Sequence, residues 1–355
     1  GRPVFLAWLM DHRGGYALLS VDVEAGKAEE HPVTFPLGDS PFASILSSGG
    51  KFYSHFGSHF VEFDPAQRAF TLCRKTAPQM AMSMTEDQQG VIWSATYPQS
   101  GLVSFDPKTG QFNDYGHLYK QDWAQYPRSV AADDAGWVYL GVGNTACQIL
   151  AFDRQSRQVV PLVPESERAH GSASVFPGTD GKVYGQPNTG QRDNWLMLYQ
   201  GKATRIGKPP KVSARAIITG SQGLFHRAFP DGRQARSLDL LEQTLVVEDP
   251  KTKKQKTIRF ECRSEGAHVM GVAAAPNDTI CGGTAFPMRF FSYDPRRDAW
   301  VRHTAFGQWN TVGRQGDRFL VGAYSGGHLL QWNPAAAWVD TVEGRGDCNP
   351  RVLTK

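Results

Sequence analysis

A short signature that returns at nearly constant intervals constrains this chain more than anything else in it. An apolar strand ends in Asp-Pro or a near variant, and a tight turn follows. The signature closes at Asp22, Asp64, Asp106, Asp153, Asp249 and Asp294, with a degenerate copy at Tyr199 and an Asn-Pro copy at Asn333. Successive copies lie 42, 42, 47, 46, 50, 45 and 39 residues apart, the period of a propeller blade.

The best-formed unit runs from Met82 to Asp114. It reads as four short strands, Met82–Thr85, Val91–Thr96, Leu102–Asp106 and Gln111–Asp114. Each strand is rich in β-branched, aromatic or apolar residues, and each break carries the Gly, Pro or Asp that tight turns need. Four antiparallel strands of this size make one blade. The chain is therefore expected to be all-β, a β-propeller of four-stranded blades forming a single domain over residues 1–355. The direct count of repeat units is eight blades, with seven as the alternative and a piece of a longer protein as a third reading. Innermost strands are expected at Ser129–Ala132, Val269–Ala273 and Asn310–Gly313. The first unit lacks one, because Pro3–Met10 already reads as a second strand. Arg351–Lys355 is expected to supply it, so that strands from both termini share a blade. Each marker Asp should accept backbone N–H bonds from its turn.

Composition agrees and excludes several functions. Hydrophobic content of 40% with 37 Gly and 22 Pro suits many short strands and turns rather than long helices. The net charge of +4 is mild, whereas nucleic-acid binders tend to carry a concentrated basic stripe. The single basic run, Lys251–Arg259, falls on an expected hairpin and reads as a solvated turn. No segment approaches the roughly 20 apolar residues of a membrane-spanning helix, so neither nucleic acid nor membrane is an expected partner. Five scattered cysteines without CxxC argue against a structural zinc site, and their odd number argues against a disulfide framework, leaving room for one bridge. The chain opens at Gly1 without a charged-then-apolar leader. A Gly-rich phosphate loop, HExxH and GxSxG are all absent.

The runs Gly90-Val-Ile-Trp-Ser-Ala-Thr96 and Gly101-Leu-Val-Ser-Phe-Asp-Pro-Lys-Thr-Gly110 resemble the repeats of streptogramin lyase-like propellers. They resemble the sensor propellers of hybrid two-component regulators equally well. The likeness is good in the third and fourth units and weaker elsewhere. It implies a propeller fold that enzymes and non-enzymes share. Several polysaccharide lyase families use propellers too, and no motif places this chain inside one of them.

Strand order sorts the loops onto two faces. Turns joining first to second and third to fourth strands are short and carry ordinary turn residues, such as Asp87-Gln-Gln-Gly90 and Asp133-Asp-Ala-Gly136; the Asp133-Asp134 pair follows this turn pattern and is not read as catalytic. The second-to-third loops and the linkers between blades concentrate His, Arg, Asn and aromatics, and function generally sits on loops held by a rigid scaffold. His117, His170 and His268 open or flank innermost strands in three blades and could converge on a metal or act as base and acid, or each could simply meet a backbone carbonyl. Arg128, Arg192, Arg227 and Arg289 suit bidentate binding of carboxylates or sulfates, or rim ion pairs. Tyr97, Tyr126, Trp195, Trp309 and Tyr324 could stack on sugar rings or pack between blades. His55 and His59 straddle Gly57 and read as structural, and His303 as a surface residue of an outer strand.

Two functions of different class follow. One is a polysaccharide lyase acting by β-elimination on an anionic, uronic-acid glycan. An Arg would neutralise the carboxylate while His or Tyr moved protons, with no cofactor required and a divalent metal still open. Its catalytic set would be His117, Tyr126, His170, Arg128 and Arg192. Its substrate-binding set would be Tyr97, Trp195, His268, Arg289, Trp309 and Tyr324. The other is a non-catalytic sensing or binding propeller with the same cationic, aromatic mouth. The ligand expected in both cases is an anionic oligo- or polysaccharide, and the expected location is extracellular or periplasmic.

Overall fold

The computed structural model describes residues 3–11, 15–36, 39–188, 194–207, 211–212, 217–219, 228–263, 267–285, 288–324 and 326–354. Its strands form eight antiparallel sheets, the blades of a β-propeller, that follow one another along the chain except that Ile217–Thr219 pairs with Ala43–Leu46 and joins the second. Two compact units are present, Gly1–Trp8 with Tyr16–Cys262, and Leu9–Gly15 with Arg263–Lys355.

In the first unit the third sheet is the template unit of the sequence, with strands Met80–Glu86, Ile92–Tyr97, Gly101–Asp106 and Gln111–His117. The fourth is Tyr126–Ala132, Trp137–Gly143, Gln148–Asp153 and Val159–Pro161, and the fifth is Ser174–Pro177, Val183–Gln186, Trp195–Tyr199 and Lys202–Ile206. The first strands of consecutive sheets lie against one another: Ala43–Leu46, Met80–Glu86, Tyr126–Ala132 and Ser174–Pro177 in turn. Hydrophobic layers fill the spaces between sheets. In the fourth sheet Val138, Leu140, Leu150 and Phe152 face the layer shared with the third sheet. Their alternates Tyr139, Ile149 and Ala151 face the layer shared with the fifth. A period-2 strand buried on both sides reads in sequence as an unbroken apolar run, which is why these segments show so little alternation.

The marker residues do what the turn chemistry requires. Asp22, Asp64, Asp106, Asp153, Asp249, Asp294 and Asn333 each use Oδ1 to accept the N–H two residues on, at 2.8–3.1 Å. The degenerate copy at Tyr199 turns instead on Gln200-Gly201, both with positive φ.

In the second unit the seventh sheet is His268–Ala275, Thr279–Ala285, Arg289–Asp294 and Ala299–Thr304, and the eighth is Gln308–Gln315, Arg318–Tyr324, His328–Trp332 and Arg351–Thr354. Here one expectation is corrected. Arg351–Thr354 does not complete the first blade; it pairs with His328–Trp332 as the outermost strand of the eighth sheet. Asn349 directs it there. Its Nδ2 donates to the carbonyls of Asn333, Ala336 and Ala337, its Oδ1 accepts from Asn333 N–H, and its backbone pairs with Val339. Those bonds fold the tail back onto its own blade. All five cysteines are unbridged. Among the described residues no helix is long and apolar enough to cross a membrane.

Replacing Asp106 or Asp294 by Ala is expected to cost about 1 kcal/mol each, the usual worth of a lost side-chain hydrogen bond. Urea unfolding monitored by tryptophan fluorescence checks this, and unchanged midpoints in both variants would contradict the capping role.

Candidate functional site

A β-bulge sets the geometry of the first strands. Register shifts between Ala81 and Ser83 in the third sheet and between Pro127 and Ser129 in the fourth. The same shift occurs between Val269 and Gly271 in the seventh and between Trp309 and Thr311 in the eighth. The inserted residues are Met82, Arg128, Met270 and Asn310. A bulge leaves its extra residue outside the ladder and re-aims its side chain. Pro127 and Ser129 are accordingly buried while Arg128 between them is exposed.

In the first unit this device assembles three of the expected residues. The Tyr97 and Tyr126 rings lie 5.0 Å apart at 42°, and the Arg128 guanidinium sits 5.3 Å from the centre of the Tyr126 ring, within cation–π range. The loop that carries Tyr97 is pinned from below. Gln125 N–H donates to Pro98 O at 2.7 Å, Ser100 Oγ donates to Gln125 Oε1 at 2.7 Å, and Leu118 N–H donates to Ser100 O at 3.2 Å. Both Gln125 and Ser100 are fully buried. Burial, and then the neighbouring Tyr97, push the Tyr126 phenol above its usual pKa while Arg128 pulls the other way, so Tyr126 stays protonated at neutral pH. Arg128 pairs with no carboxylate among the described residues. The trio is a cationic, aromatic surface at the ends of adjacent blades, suited to a flat anionic ligand.

The other expected residues fall elsewhere. His117 does not flank an innermost strand; it ends the outermost strand of the third sheet, opposite Gly101, and its Nδ1 is buried without a partner among the described residues. His170 is exposed in the linker before the fifth sheet, where its carbonyl accepts from Asn188. Trp195 is half-buried, and its ring lies 5.6 Å from that of Phe176 in its own sheet. Arg192 and Arg227 lie outside the described residues. In the second unit His268 opens the first strand of the seventh sheet, opposite Ala285, and Arg289 opens its third strand, its N–H donating to Thr284 Oγ1 at 3.2 Å. Tyr324 ends the second strand of the eighth and is 63% exposed. Trp309 is a correction. Its exposure is 0% and it packs against Phe290 at 5.3 Å in the core, so no sugar can stack on it. The bulge after it turns Asn310, not Trp309, to solvent.

Two further readings concern carboxylates. Asp133 acts as a structural tie, accepting from Trp137 N–H, Tyr139 O–H and Gln200 N–H. Asp39, in the linker between the first and second sheets, was not singled out from sequence. Its Oδ1 accepts from Gly57 N–H, and burial pushes its carboxyl up to about 6. Tyr16 stands beside it, driven up to about 12 by its own burial. Next to Asp39, Ser40 Oγ donates to Met80 Sδ at 3.8 Å, and Met80 is the ladder partner of Tyr97. The available signal was positional: the linker lies on the same face as the other inter-blade loops. Among the described residues no three His, Cys, Asp or Glu side chains are placed to hold a metal ion. A cavity of about 170 Å³ lies at the opposite ends of the strands, between the turns at Asp134–Trp137 and Asp153–Gln155. It is lined by ordinary turn residues, with Arg154 bonded to Gln89.

His55 is structural, as its sequence context suggested. It is fully buried, with Nδ1 2.8 Å from Ser94 Oγ and Nε2 2.8 Å from Thr76 Oγ1. Thr76 donates its only hydroxyl proton to Pro78 O, so Nε2 carries the ring proton and Nδ1 accepts from Ser94. His59 stacks on Phe35 at 4.4 Å, and His303 stacks on Trp338 at 4.4 Å.

No family model and no curated protein matches the chain. Solved structures that resemble it include streptogramin lyase-like, sensor and WD40 propellers. Virginiamycin B lyase from Staphylococcus aureus is 11% identical with a TM-score of 0.38, over 80% of this chain and 92% of that one. The extracellular domain of a one-component system from B. thetaiotaomicron is 12% identical with a TM-score of 0.35, over 94% of this chain and 46% of that one. The C-terminal WD40 domain of Sif2 is 10% identical with a TM-score of 0.39, over 87% of each chain. At these values the likenesses carry no argument about function.

Burial drives the His55 pKa down to about 4 from 6.5, which fixes the sign of a pH effect. Between those values the unfolded chain binds a proton that the folded chain does not, so stability falls as pH drops from 6.5 to 4. The expected loss is about 3 kcal/mol. Asp39 has the opposite sign over the same range, because its stabilising proton is held below about pH 4 and lost as pH rises through about 6. Comparing wild type with His55→Gln in urea at several pH values cancels the Asp39 contribution. The gap between the two is expected to narrow on acidification, and a constant gap would contradict the assignment.

Proposed function

We infer that the first unit binds an anionic, uronic-acid-containing glycan across Arg128, Tyr126 and Tyr97 and opens it by lyase-type β-elimination. The observation that carries this reading is the bulged Arg128, exposed over a phenol ring and without a carboxylate partner among the described residues. Elimination next to a uronate carboxylate proceeds through a carbanion whose charge spreads onto that carboxylate. A guanidinium fork meets both oxygens at once and strengthens its hold as the charge grows. The aromatic pair offers a sugar ring an apolar face beside the cation. A neutral phenol is the right species to hand a proton to the departing glycosidic oxygen. Tyr97 and Tyr126, whose rings lie 5.0 Å apart, are the two candidates for that donor. The geometry favours these phenols over His117 and His170, which lie at an outer strand and in an exposed linker. Such polymers are met outside the cytoplasm, which is the location this reading expects.

Wild-type protein incubated with pectic, alginate and glycosaminoglycan polymers is expected to generate the ultraviolet absorbance of the new conjugated double bond. Arg128→Lys keeps the charge but loses the fork, and with it one charge-assisted hydrogen bond of about 1.5 kcal/mol. That corresponds to about a tenfold fall in kcat/KM. Saturable binding without any product would replace the lyase reading by a sensing or binding one, and neither binding nor product would overturn both.

A further inference from the structure

We propose that the long loop of the eighth sheet builds a binding site for a phosphate or sulfate ester, with Arg318 and Arg351 as its anion-holding pair. The site lies wholly in the second unit and is independent of the reading given for Arg128. The loop is the first sign of it. In the other seven sheets the turn after the marker strand takes two to six residues, whereas in the eighth it takes residues 333–350. Loops of that length inside a domain are usually functional or mere linkers, and this one is no linker, because it is packed down along its length. Trp338 stacks on His303 at 4.4 Å and lies 4.7 Å from Phe290 in the core. Cys348 is buried, its Sγ accepting Val342 N–H at 3.3 Å, and Thr341 Oγ1 donates to Pro350 O at 2.6 Å. A loop fixed at so many points need not be ordered by its ligand.

Folded this way, the loop and its own sheet enclose a cavity of about 510 Å³, within the range that takes a small molecule rather than a bare ion. Strand register decides what faces it. Phe319, Leu330, Trp332 and Val352 belong to the core side of the sheet. On the alternate side Gln331 has Leu320 and Arg351 as its two ladder partners, and Arg318 stands two residues before Leu320. Arg318, Gln331 and Arg351 therefore point the same way, from three adjacent strands. All three line the cavity, and the loop contributes Asp347 to it.

The lining is rich in donors that nothing else uses. Arg351 donates from Nε and Nη2 to Gln331 Oε1 at 3.2 and 2.9 Å, which aims the guanidinium and leaves Nη1 to spare. It pairs with no carboxylate among the described residues, and Gln331 Nε2 likewise has no partner among them. Arg318 has only Asp317 within ion-pair range, at 3.6 Å, and that carboxylate is 86% exposed, where water weakens the pair. The acid in the lining is already taken. Arg345 Nε and Nη2 hold the two oxygens of Asp347 at 3.0 and 2.6 Å and keep its carboxyl below the ordinary value. A carboxylate ligand has two coplanar oxygens, which one guanidinium fork satisfies. Two guanidiniums approaching from either side of Gln331 suit a tetrahedral group instead, whose oxygens point in several directions. The remaining volume accommodates the sugar-sized body that carries it.

Isothermal titration calorimetry on the intact chain tests this, with glucose 6-phosphate, galactose 6-sulfate, inorganic phosphate, inorganic sulfate and glucuronate as probes. At least one ester is expected to bind saturably, more tightly than its inorganic ion or glucuronate, and more weakly as salt is added. The tighter of the two esters identifies the group as phosphate or sulfate. Arg318→Gln and Arg351→Gln are each expected to weaken that binding about tenfold or more, and Arg351→Lys is not expected to restore it, because the fork is lost. Asp317→Asn removes the competing partner of Arg318 and is expected to tighten binding. Should Arg351→Gln disturb the tail, seen as a change in tryptophan fluorescence, Arg318→Gln decides, since its side chain makes no other bond among the described residues. Absence of saturable ester binding by the wild type, binding untouched by Arg318→Gln, or glucuronate bound as tightly as the esters would each overturn the proposal, and none of them bears on the Arg128 site.

Discussion

Burial of the central strands on both faces is the condition on which the rest of this structure depends. Each inter-sheet layer is filled from two neighbouring sheets, so a side chain in the body of a blade has apolar partners wherever it points. Polar chemistry is thereby driven to the strand ends. Polar groups deep inside can be fully engaged, as with His55 between Ser94 and Thr76, because an unmatched one carries a desolvation cost; among the described residues Thr96 Oγ1, Gln125 Nε2 and Trp309 Nε1 are buried without a partner. The same condition explains why the aromatics divide so sharply. Trp93 and Trp309 are interior, whereas Tyr97 and Tyr126 sit at strand ends, where a hydroxyl can remain hydrated.

Within that frame the turns supply register. An Asp at the end of a third strand satisfies the N–H two residues on and starts the fourth strand from the same point in blade after blade. The turn then defines which residue of the next linker emerges on the opposite face. Gln125 performs the complementary task at that face, binding Pro98 and Ser100 so that the end of one blade and the start of the next share a hydrogen-bonded seam. The Tyr97–Tyr126 contact is a product of that seam.

The blades were legible in sequence because the turn chemistry is local: Asp, Pro and Gly at fixed offsets report a hairpin whatever surrounds them. The template strands lie within a few residues of the expected bounds for the same reason. What was not legible depended on backbone register. Trp309 and Asn310 are neighbours, and sequence alone offers no way to see that a bulge sends one to the core and the other to solvent. The destination of Arg351–Thr354 hung on the side-chain bonds of Asn349, a single residue in an irregular stretch. Asp39 was hidden differently. Its carboxyl is unusual only because Gly57, Phe35 and Tyr16 enclose it, and those residues come from three separate segments. That Tyr97, Tyr126 and Arg128 lie together was legible because topology alone predicts that linkers and second-to-third loops share a face.

The bulge in the first strands has a consequence for how such a scaffold can change. The ladder uses the backbone around an inserted residue and makes no demand on its side chain. The four positions already carry Met82, Arg128, Met270 and Asn310, two thioethers, a guanidinium and an amide, on one backbone device. Where the inserted residue is exposed, as at Arg128, Met270 and Asn310, stability and chemistry are therefore encoded at separable positions, whereas Met82 is itself a core side chain. A lineage can rewrite the exposed bulged residues and acquire a new ligand while the hydrophobic layers that fold the chain are inherited unaltered.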